Sequence, residues 1–327
     1  MGKAQLIGLD WGTTSFRAYL IDGEGRILGR ITEPQGILNV PNGDFAGAFE
    51  RLVGPWLSQH GNLPVIASGM IGSRQGWYEA PYVGCPATTA EIAGRLVAVN
   101  APAGRQVWLV PGLTYVGRDG VPDVMRGEET QIVGCLEASA SGRRIFLLPG
   151  THSKWALVEG ERILRFATFM TGELFAVLRA HSILGRLMQG DAPDAAAFRR
   201  GLDRAVGADE GLLRSLFSVR TLGLFDRLPA AGLASYLSGL LIGSEIAEAR
   251  HWIAAEGSIA ADTASTAITP TAITPTDITI VGGESLAALY LDALTAAGLS
   301  GQLAPADAVV PGLLRIARAA TLQGVTP

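Results

Sequence analysis

Two stretches of the chain carry the same short turn of small and hydroxyl-bearing residues. The turns are Gly12-Thr13-Thr14-Ser15 and Gly150-Thr151-His152-Ser153, and each follows a short apolar run. Backbone N–H groups and hydroxyls in such turns suit phosphate oxygens, and glycine leaves the backbone open to a close approach. The repeat therefore predicts two phosphate-binding turns that face each other across a cleft.

Only the first copy has an acid before its glycine, because Asp10 aligns with Leu148 when Gly12 is laid on Gly150. Mg²⁺ keeps several waters and takes one or two carboxylates beside phosphate groups. Asp10 is therefore the candidate magnesium ligand, and Arg17 can bring positive charge to the same space. For a single copy, an ordinary hairpin with a hydroxyl-rich turn is an equal alternative. The second aligned copy weighs against it.

Short strands surround both turns. The first turn lies between apolar strands predicted over residues 6–9 and 16–21, and a glycine turn then leads into residues 26–31. Residues 145–148 begin the second copy, whose third strand covers residues 162–170. Each copy therefore predicts a sheet with an antiparallel start.

Helices and further strands follow each copy. The predicted helices cover residues 44–57, a segment from residue 127, most of residues 174–256, residues 284–297 and residues 312–320, and the further strands cover residues 64–67, 107–110 and 277–281. This alternation predicts an α/β fold. Residues 259–276 repeat TAITP, and their proline, threonine and alanine content predicts a surface linker.

Length and composition predict two globular domains. The chain has 327 residues, of which 48% are hydrophobic and 17% charged. This length exceeds the size at which one hydrophobic core keeps growing, and the apolar fraction is ample for buried cores. A net charge of −4 with interspersed acids and bases gives no basic face, so we expect no nucleic-acid partner.

Membrane insertion and export are not expected. The first residues lack a signal-peptide pattern, and the longest apolar stretch, residues 230–243, is shorter than the ~20 residues of a membrane span. We interpret it as a buried helix. Cys85 and Cys135 are too few for a disulfide framework and lack metal-site spacing, so they predict reduced thiols in the cytoplasm.

Three longer strings carry a family resemblance. They are residues 67–77 (ASGMIGSRQGW), 125–131 (MRGEETQ) and 148–155 (LPGTHSKW), and they resemble the 2-dehydro-3-deoxygalactonokinase family. The two turns, with residues 278–294 as a third motif, are similar to the phosphate-1, phosphate-2 and adenosine motifs of the wider actin, hexokinase and sugar-kinase superfamily. The resemblance spans nearly the whole chain.

This resemblance implies two α/β domains of duplicated actin-like (ribonuclease H-like) topology with a nucleotide cleft between them. Residues 1–142 would hold the first phosphate motif and the sugar-acid site, and residues 143–310 the second phosphate motif and the adenosine motif. Residues 311–327 would form a helix that returns to the first domain.

The implied activity is transfer of phosphate from ATP, with Mg²⁺, to the C6 hydroxyl of 2-dehydro-3-deoxy-D-galactonate in galactonate catabolism. The only partner that it implies is a small sugar acid, and the oligomeric state is left open, a homodimer included. A kinase for another sugar or sugar acid is the nearest alternative. An actin-like or chaperone-like ATPase is more remote, because chaperone relatives carry a further peptide domain that this length cannot hold. A sugar-responsive repressor is remote too, because no helix-turn-helix extension is present.

The resemblance also implies a general base at the start of a helix. Glu128 opens the helix that precedes the second phosphate motif and is the implied base, with Glu129 as the alternative. Favourable charge at a helix N-terminus is the competing explanation for both acids.

An acidic substrate implies a fixed cation, and arginine suits a carboxylate. Arg74 is the implied partner of that carboxylate, Ser68 and Gln75 would add hydrogen bonds, and Trp77 would wall the sugar chain. An exposed arginine beside a packed tryptophan is the alternative. The implied nucleotide- and phosphate-binding residues are Asp10, Gly12, Thr13, Thr14, Ser15, Arg17, Gly150, Thr151, His152, Ser153, Gly282, Gly283 and Glu284.

Overall fold

The computed structural model describes residues 2–117, 119–136, 142–207, 211–254 and 278–322, together with residue 325. The TAITP repeat predicted as a linker lies outside the described residues. The chain forms two compact units. The first comprises Met1–Arg143, Ala156–Phe166 and Ala304–Pro327, and the second comprises Arg144–Trp155 and Ala167–Leu303.

Strands and helices alternate along both units. The strands are β1 (Ala4–Trp11), β2 (Phe16–Asp22), β3 (Ile27–Glu33), β4 (Val65–Ser68), β5 (Val83–Gly84), β6 (Ala87–Thr88), β7 (Val97–Ala101), β8 (Arg105–Leu109), β9 (Leu113–Val116), β10 (Pro122–Met125), β11 (Arg143–Leu148), β12 (Ser153–Glu159), β13 (Arg162–Phe169), β14 (Ile278–Ile280) and β15 (Gly301–Leu303). The helices are α1 (Phe45–His60), α2 (Thr89–Ala93), α3 (Glu128–Cys135), α4 (Thr171–His181), α5 (Ala195–Gly207), α6 (Leu212–Leu224), α7 (Leu233–Ala254), α8 (Glu284–Ala296) and α9 (Val309–Ala319).

The main sheet of the first unit has the strand order β3-β2-β1-β4-β8-β7. β1 is antiparallel to β2 and parallel to β4. The apolar side chains of these strands pack with α1 in a buried core that includes Trp11, Phe16 and Phe49. α1 begins where the sequence predicts, because the Asp44 carboxylate accepts a hydrogen bond of 2.8 Å from the Gly47 N–H.

The second large sheet repeats this arrangement, with the strand order β15-β14-β11-β12-β13-β6. The run β13-β12-β11-β14-β15 corresponds to β3-β2-β1-β4-β8, and β14 is parallel to both β11 and β15. The structure therefore confirms the duplicated α/β fold predicted from the two turns.

Two further boundaries are defined by the structure. Ala156–Phe166 belongs to the first unit, where β6 pairs with β13 in the register Ile163↔Ala87. α9 begins at Val309 rather than after Pro311. Pro311 is accommodated in the first turn because the N–H that proline lacks has no intrahelical acceptor there.

α9 packs on α3 in the first unit through two glycines. A Cβ on Gly134 would lie 1.8 Å from the Ala308 carbonyl oxygen, and one on Gly312 would lie 1.9 Å from the Thr130 carbonyl oxygen. A side chain at either position would push the helices apart. This packing fixes α3, whose first residues are the candidate acids.

The apolar stretch predicted as a buried helix lies in the segment Ala230–Ala254, which is long and apolar enough to span a membrane. Of its most apolar 18-residue window, 61% is buried within the protein. α7 packs closely on α5, where a Cβ on Gly239 would lie 2.0 Å from the Phe198 carbonyl oxygen. Its apolar surface is thus covered mainly by protein, as in a core helix.

Candidate active site

The first turn joins β1 to β2 and is held by backbone contacts. The Gly12 N–H donates to the Ser15 carbonyl at 2.9 Å. Gly36 packs against the turn so closely that a Cβ there would lie 2.3 Å from the Thr14 nitrogen. Thr13 and Thr14 are exposed. The turn thus has a fixed backbone and accessible hydroxyl-bearing residues, as phosphate binding requires.

Asp10 lies at the end of β1, in register with Arg17 on β2 and Ser68 on β4. Arg17 Nη1 donates to Asp10 Oδ2 at 3.0 Å. Burial raises the pKa of Asp10, and the charge and hydrogen bond of Arg17 oppose that rise. A carboxylate in this environment gains from a nearby cation, which fits the predicted role as a magnesium ligand.

Glu129 is fully buried, with 0% of its surface exposed. Its carboxylate accepts hydrogen bonds from the Gly127 N–H at 2.6 Å and from the Thr130 hydroxyl at 2.9 Å. The Ser68 hydroxyl lies 2.8 Å from that of Thr130 and 3.5 Å from the carboxylate. Burial, with a smaller contribution from the Glu128 charge, raises the pKa of Glu129 to about 7.

Two glycines bring the end of β4 against the end of β1 and the start of α3. Gly69 has φ +97°, and a Cβ there would lie 2.8 Å from the Trp11 carbonyl oxygen. Gly127 has φ +107°, and a Cβ there would lie 3.2 Å from the Gly69 Cα atom. These left-handed conformations favour glycine. The two glycines therefore place the candidate acids beside the ends of both strands.

Glu128 has a more open environment than Glu129. It is half-buried, and its carboxylate accepts a hydrogen bond of 2.9 Å from the Arg126 N–H. A general base must come within hydrogen-bond distance of the substrate hydroxyl. Glu128 offers that access, whereas Glu129 is enclosed by its hydrogen-bond donors.

The predicted substrate loop has some side chains exposed to solvent and others packed against the core. Arg74 has 87% of its side chain exposed, and its Nε lies 3.4 Å from Glu79 Oε2. Gln75 is also exposed. Trp77 packs against the Phe49 ring with a centroid distance of 5.8 Å. Of the predicted substrate-binding residues, Arg74 and Gln75 are thus exposed, Trp77 is half-buried, and Ser68 at the end of β4 is fully buried.

Arg126 belongs to one of the strings that carry the family resemblance, and sequence analysis predicts no role for it. The structure buries it, with 8% of its surface exposed. Its Nη2 donates to the Ala80 carbonyl at 2.7 Å, and its guanidinium lies over the Tyr82 ring. Nothing in the sequence indicates this burial, because Ala80 and Tyr82 belong to a distant loop. The available signal was a charged residue two positions before the first of the two candidate acids.

The second turn, in the second unit, joins β11 to β12. Thr151 and His152 are exposed and Ser153 is buried. The Glu173 N–H donates to the Thr151 carbonyl at 2.9 Å, and the Glu173 carboxylate pairs with His152 Nε2. The start of α4 therefore holds this turn in place.

Beneath the second turn, Glu245 joins four elements of the second unit. Its carboxylate accepts hydrogen bonds from Trp155 Nε1 at 2.8 Å and from the Tyr290 hydroxyl at 2.6 Å. The Tyr290 hydroxyl also lies 3.1 Å from the Ser153 hydroxyl. Burial raises the pKa of Glu245, and hydrogen bonds from these groups and from Thr171 oppose the rise. This network links the turn to α4, α7 and α8.

The predicted adenosine motif follows β14 and opens α8. Gly282, Gly283 and Glu284 are exposed, and Gly283 is the N-terminal cap residue of the helix with φ −64°. Gly282 lies near Pro149, just before the second turn, since a Cβ there would be 3.6 Å from Pro149 Cδ. This motif and the second turn thus lie together in the second unit.

The glycines of the three motifs differ from the packing glycines. A Cβ on Gly150 or Gly283 would meet nothing within 4 Å, and one on Gly12 would make only ordinary contacts of 3.6 Å or more. None of the three has a left-handed φ. The fold itself therefore does not require glycine at these positions. A ligand that approaches the backbone would require it.

Across the described ranges, no cluster of three or more histidine, cysteine or acidic side chains could enclose a metal. A magnesium ion that keeps its waters and also contacts phosphate needs only one or two carboxylates. Asp10 alone, at the end of β1 beside the first turn, is compatible with that kind of site.

Comparisons with known proteins give matches over nearly the whole chain. A sequence profile of the family described as 2-keto-3-deoxy-galactonokinase matches residues 10–316. The chain is 37% identical over 315 residues to a Rhizobium meliloti (strain 1021) protein named as a probable 2-dehydro-3-deoxygalactonokinase, covering 95% of this chain and 96% of the relative. It is 34% identical over 295 residues to the Escherichia coli (strain K12) 2-dehydro-3-deoxygalactonokinase, covering 90% of this chain and 91% of the relative.

A solved structure agrees over the whole fold. The crystal structure of a Sinorhizobium meliloti protein, provisionally described as a 2-dehydro-3-deoxygalactonokinase, superimposes with a TM-score of 0.81 at 36% sequence identity. The match covers 96% of this chain and 98% of the other.

Proposed function

The chain belongs to the 2-keto-3-deoxy-galactonokinase family, and from this membership we propose that it is a phosphotransferase with an alcohol acceptor. It transfers the terminal phosphoryl group of ATP to the C6 hydroxyl of 2-dehydro-3-deoxy-D-galactonate in galactonate catabolism. The observation that carries this proposal is that packing does not require glycine at Gly12, Gly150 or Gly283. Phosphate groups close to the backbone of the two turns, and adenosine close to that of the third motif, would leave no room for a side chain at these positions.

Phosphoryl transfer requires positioning, neutralised charge on the moving group and a carboxylate that orients the attacking hydroxyl. The two turns supply backbone N–H groups and hydroxyls to the phosphates, Arg17 adds positive charge, and His152 and Ser153 complete the second turn. Glu128 accepts the proton of the C6 hydroxyl, since its carboxylate is accessible. Glu129 is the alternative base, and its hydrogen bonds to Gly127 and Thr130 otherwise fix the start of α3.

Mg²⁺ is the proposed metal, and Asp10 is the residue that would hold it. When bound, the ion would neutralise negative charge that develops on the phosphate oxygens. Arg17, which donates to Asp10 at 3.0 Å, keeps this carboxylate oriented at the end of β1.

Arg74, Gln75, Ser68 and Trp77 are the proposed substrate-binding residues. Arg74 is exposed and its Nε lies 3.4 Å from Glu79 Oε2, so it can exchange this solvent-facing contact for a substrate carboxylate. Ser68 is held by Thr130 at 2.8 Å, and Trp77 supports the loop from the core side. We also propose that the protein acts in the cytoplasm without nucleic-acid or membrane partners, since both cysteines are thiols and α7 is largely covered.

A substrate panel tests the function. The purified protein is incubated with ATP, Mg²⁺ and, in separate reactions, the 2-keto-3-deoxy acid, its gluconate epimer and neutral sugars, and ADP release is followed by a coupled assay. We expect turnover of the 2-keto-3-deoxy acid at about 1–100 s⁻¹ and a product phosphorylated at C6 by ³¹P NMR. Strong turnover of a neutral sugar and none of either acid would contradict the substrate. ATP hydrolysis that needs no acceptor would contradict the reaction class.

A further inference from the structure

Arg126 is a buried cation with donors that the protein leaves without acceptors. Its exposure is 8%, and its Nη2 donates to the Ala80 carbonyl at 2.7 Å. The N–H groups on Nε and Nη1 are buried and have no hydrogen-bond partner among the described residues. Within the described residues, no carboxylate forms an ion pair with Arg126.

Such an arrangement is energetically unfavourable unless a ligand completes it. Burying a charged group without its hydrogen bonds is strongly unfavourable, and buried donors in native proteins are almost always paired. The Tyr82 ring, with its centroid 4.4 Å from the guanidinium carbon, offsets only part of this cost, since a cation–π contact is weaker than the hydrogen bonds that a buried charge lacks. An anion that accepts from Nε or Nη1 would offset the rest.

The surroundings allow an anion to reach Arg126 with little rearrangement. The Tyr82 ring lies over one face of the guanidinium and is 41% exposed, so this side chain can turn outward into solvent. Gly72 presents no side chain, and a Cβ there would lie 3.1 Å from Nη1. Gly112 likewise leaves room for the tyrosine ring, because a Cβ there would lie 2.7 Å from Tyr82 Cε1.

We propose that Arg126 binds the carboxylate of the sugar-acid substrate, with Tyr82 as the side chain that opens and closes over it, an assignment that rests on the proposed function. Arg126 lies two residues before Glu128, whose carboxylate accepts the Arg126 N–H. In this assignment one short segment recognises both ends of an extended substrate, the acid end through Arg126 and the hydroxyl end through Glu128. Arg74, exposed on its loop, is the outer cation that approaches when the substrate has bound.

A neutral substrate analogue separates this role from general packing. The acid and its C1 carboxamide, which has the same shape without the charge, are compared as acceptors with wild type, R126Q and R126K. The control is R105Q, since Arg105 is a partly buried arginine of the same unit, 18% exposed, whose ion pair with Glu50 at 2.8 Å is complete. Urea unfolding of every variant shows whether it folds.

We expect R126Q to raise the KM for the acid by about 30-fold or more and to leave the KM values for ATP and for the carboxamide within about threefold of wild type. R126K keeps the charge but loses the planar donor geometry, so we expect a smaller rise in the KM for the acid. This variant tests the proposal if R126Q does not fold. R105Q keeps the wild-type preference for acid over carboxamide.

An unchanged preference for acid over carboxamide in folded R126Q or R126K would overturn the assignment. A rise in the KM for ATP as large as that for the acid would also overturn it, and would place a phosphate at Arg126 instead. Failure of the wild type to phosphorylate the acid at all is a different result, because it removes the proposed function itself.

Discussion

Gly172 at the start of α4 lies directly against Gly150 in the second turn. A Cβ on Gly172 would be 2.4 Å from the Gly150 carbonyl oxygen and 2.8 Å from the Thr151 Cα atom. Both distances are too short for any side chain, so the turn and the helix can keep this contact only with glycine at position 172. Packing therefore requires glycine at position 172 but does not require it at position 150.

Gly172→Ala should damage both stability and activity. The methyl group would force the second turn and α4 apart, and overpacking of this kind costs about 1–3 kcal/mol. Displacement of Thr151 and His152 should also raise the KM for ATP. Urea unfolding and steady-state kinetics measure the two effects, and a variant with wild-type stability would show that the contact is not as close as described.

Gly150→Ala is the matched control at the other side of the same contact. Its methyl group would meet nothing within 4 Å, so the stability should change by less than about 1 kcal/mol. If a phosphate oxygen approaches the backbone here, activity should still fall by about tenfold or more, since about 1.4 kcal/mol of lost binding is a factor of ten. Full activity would mean that no phosphate approaches Gly150.

The buried network at Glu245 gives a second prediction. Tyr290→Phe removes the donor that lies 2.6 Å from the carboxylate, and loss of a hydrogen bond to a charged group destabilises by about 1.5–3 kcal/mol. Tyr78→Phe, at a tyrosine that is exposed, is the control and should change stability by less than about 0.5 kcal/mol. Equal stabilities of the two variants would contradict the network.

Asp10→Asn tests the metal site. An amide keeps the shape and a hydrogen-bond acceptor for Arg17 but loses the negative charge that Mg²⁺ prefers. We expect kcat to fall by about 100-fold or more and the Mg²⁺ concentration for half-maximal rate to rise. Asp119→Asn is the control, because the exposed Asp119 carboxylate accepts a hydrogen bond from the Val121 N–H, as an amide also can. Unchanged magnesium dependence in Asp10→Asn would remove Asp10 as the ligand.

The repeat and the local signals predicted the architecture, because hairpins and helix caps follow from short stretches of chain. The Asp44 cap and the two hairpin turns illustrate this, since each depends on residues a few positions apart. The predicted start of α9 was wrong because a proline is compatible both with the first turn of a helix and with the residue just before the helix.

The environment of the candidate residues could not be predicted in the same way. Glu245 meets Trp155 across 90 residues of sequence, and Arg126 meets Ala80 across 46. Neither burial nor hydrogen bonding over such separations leaves a periodic pattern. The sequence could therefore identify acids and arginines of interest but not which of them would be enclosed.

Glu128→Gln should lower kcat by about 10²–10⁴-fold if Glu128 accepts the hydroxyl proton. The KM for ATP should stay near its wild-type value, because Glu128 is not expected to touch the nucleotide. Glu129→Gln should affect kcat less, since its carboxylate is enclosed. Near-normal turnover in Glu128→Gln together with a large loss in Glu129→Gln would assign the base to Glu129 instead.

The stability of the protein should depend on pH through Glu129. Burial raises its pKa from 4.5 in the unfolded chain to about 7 in the folded protein, so between these values the folded state binds a proton that the unfolded state does not. This carboxyl therefore favours folding most at acidic pH, and its contribution declines as pH rises from about 4.5 to about 7, by roughly 3 kcal/mol in total.

Glu129→Gln removes this proton, so the difference in unfolding free energy between wild type and variant should move in favour of the variant across the same pH range and level off above about 7. Urea unfolding of both proteins at a series of pH values measures the difference. A difference that stays constant between about pH 4.5 and 7 would show that the Glu129 carboxyl has an ordinary pKa, and that the Ser68 and Thr130 hydroxyls do not enclose it in solution.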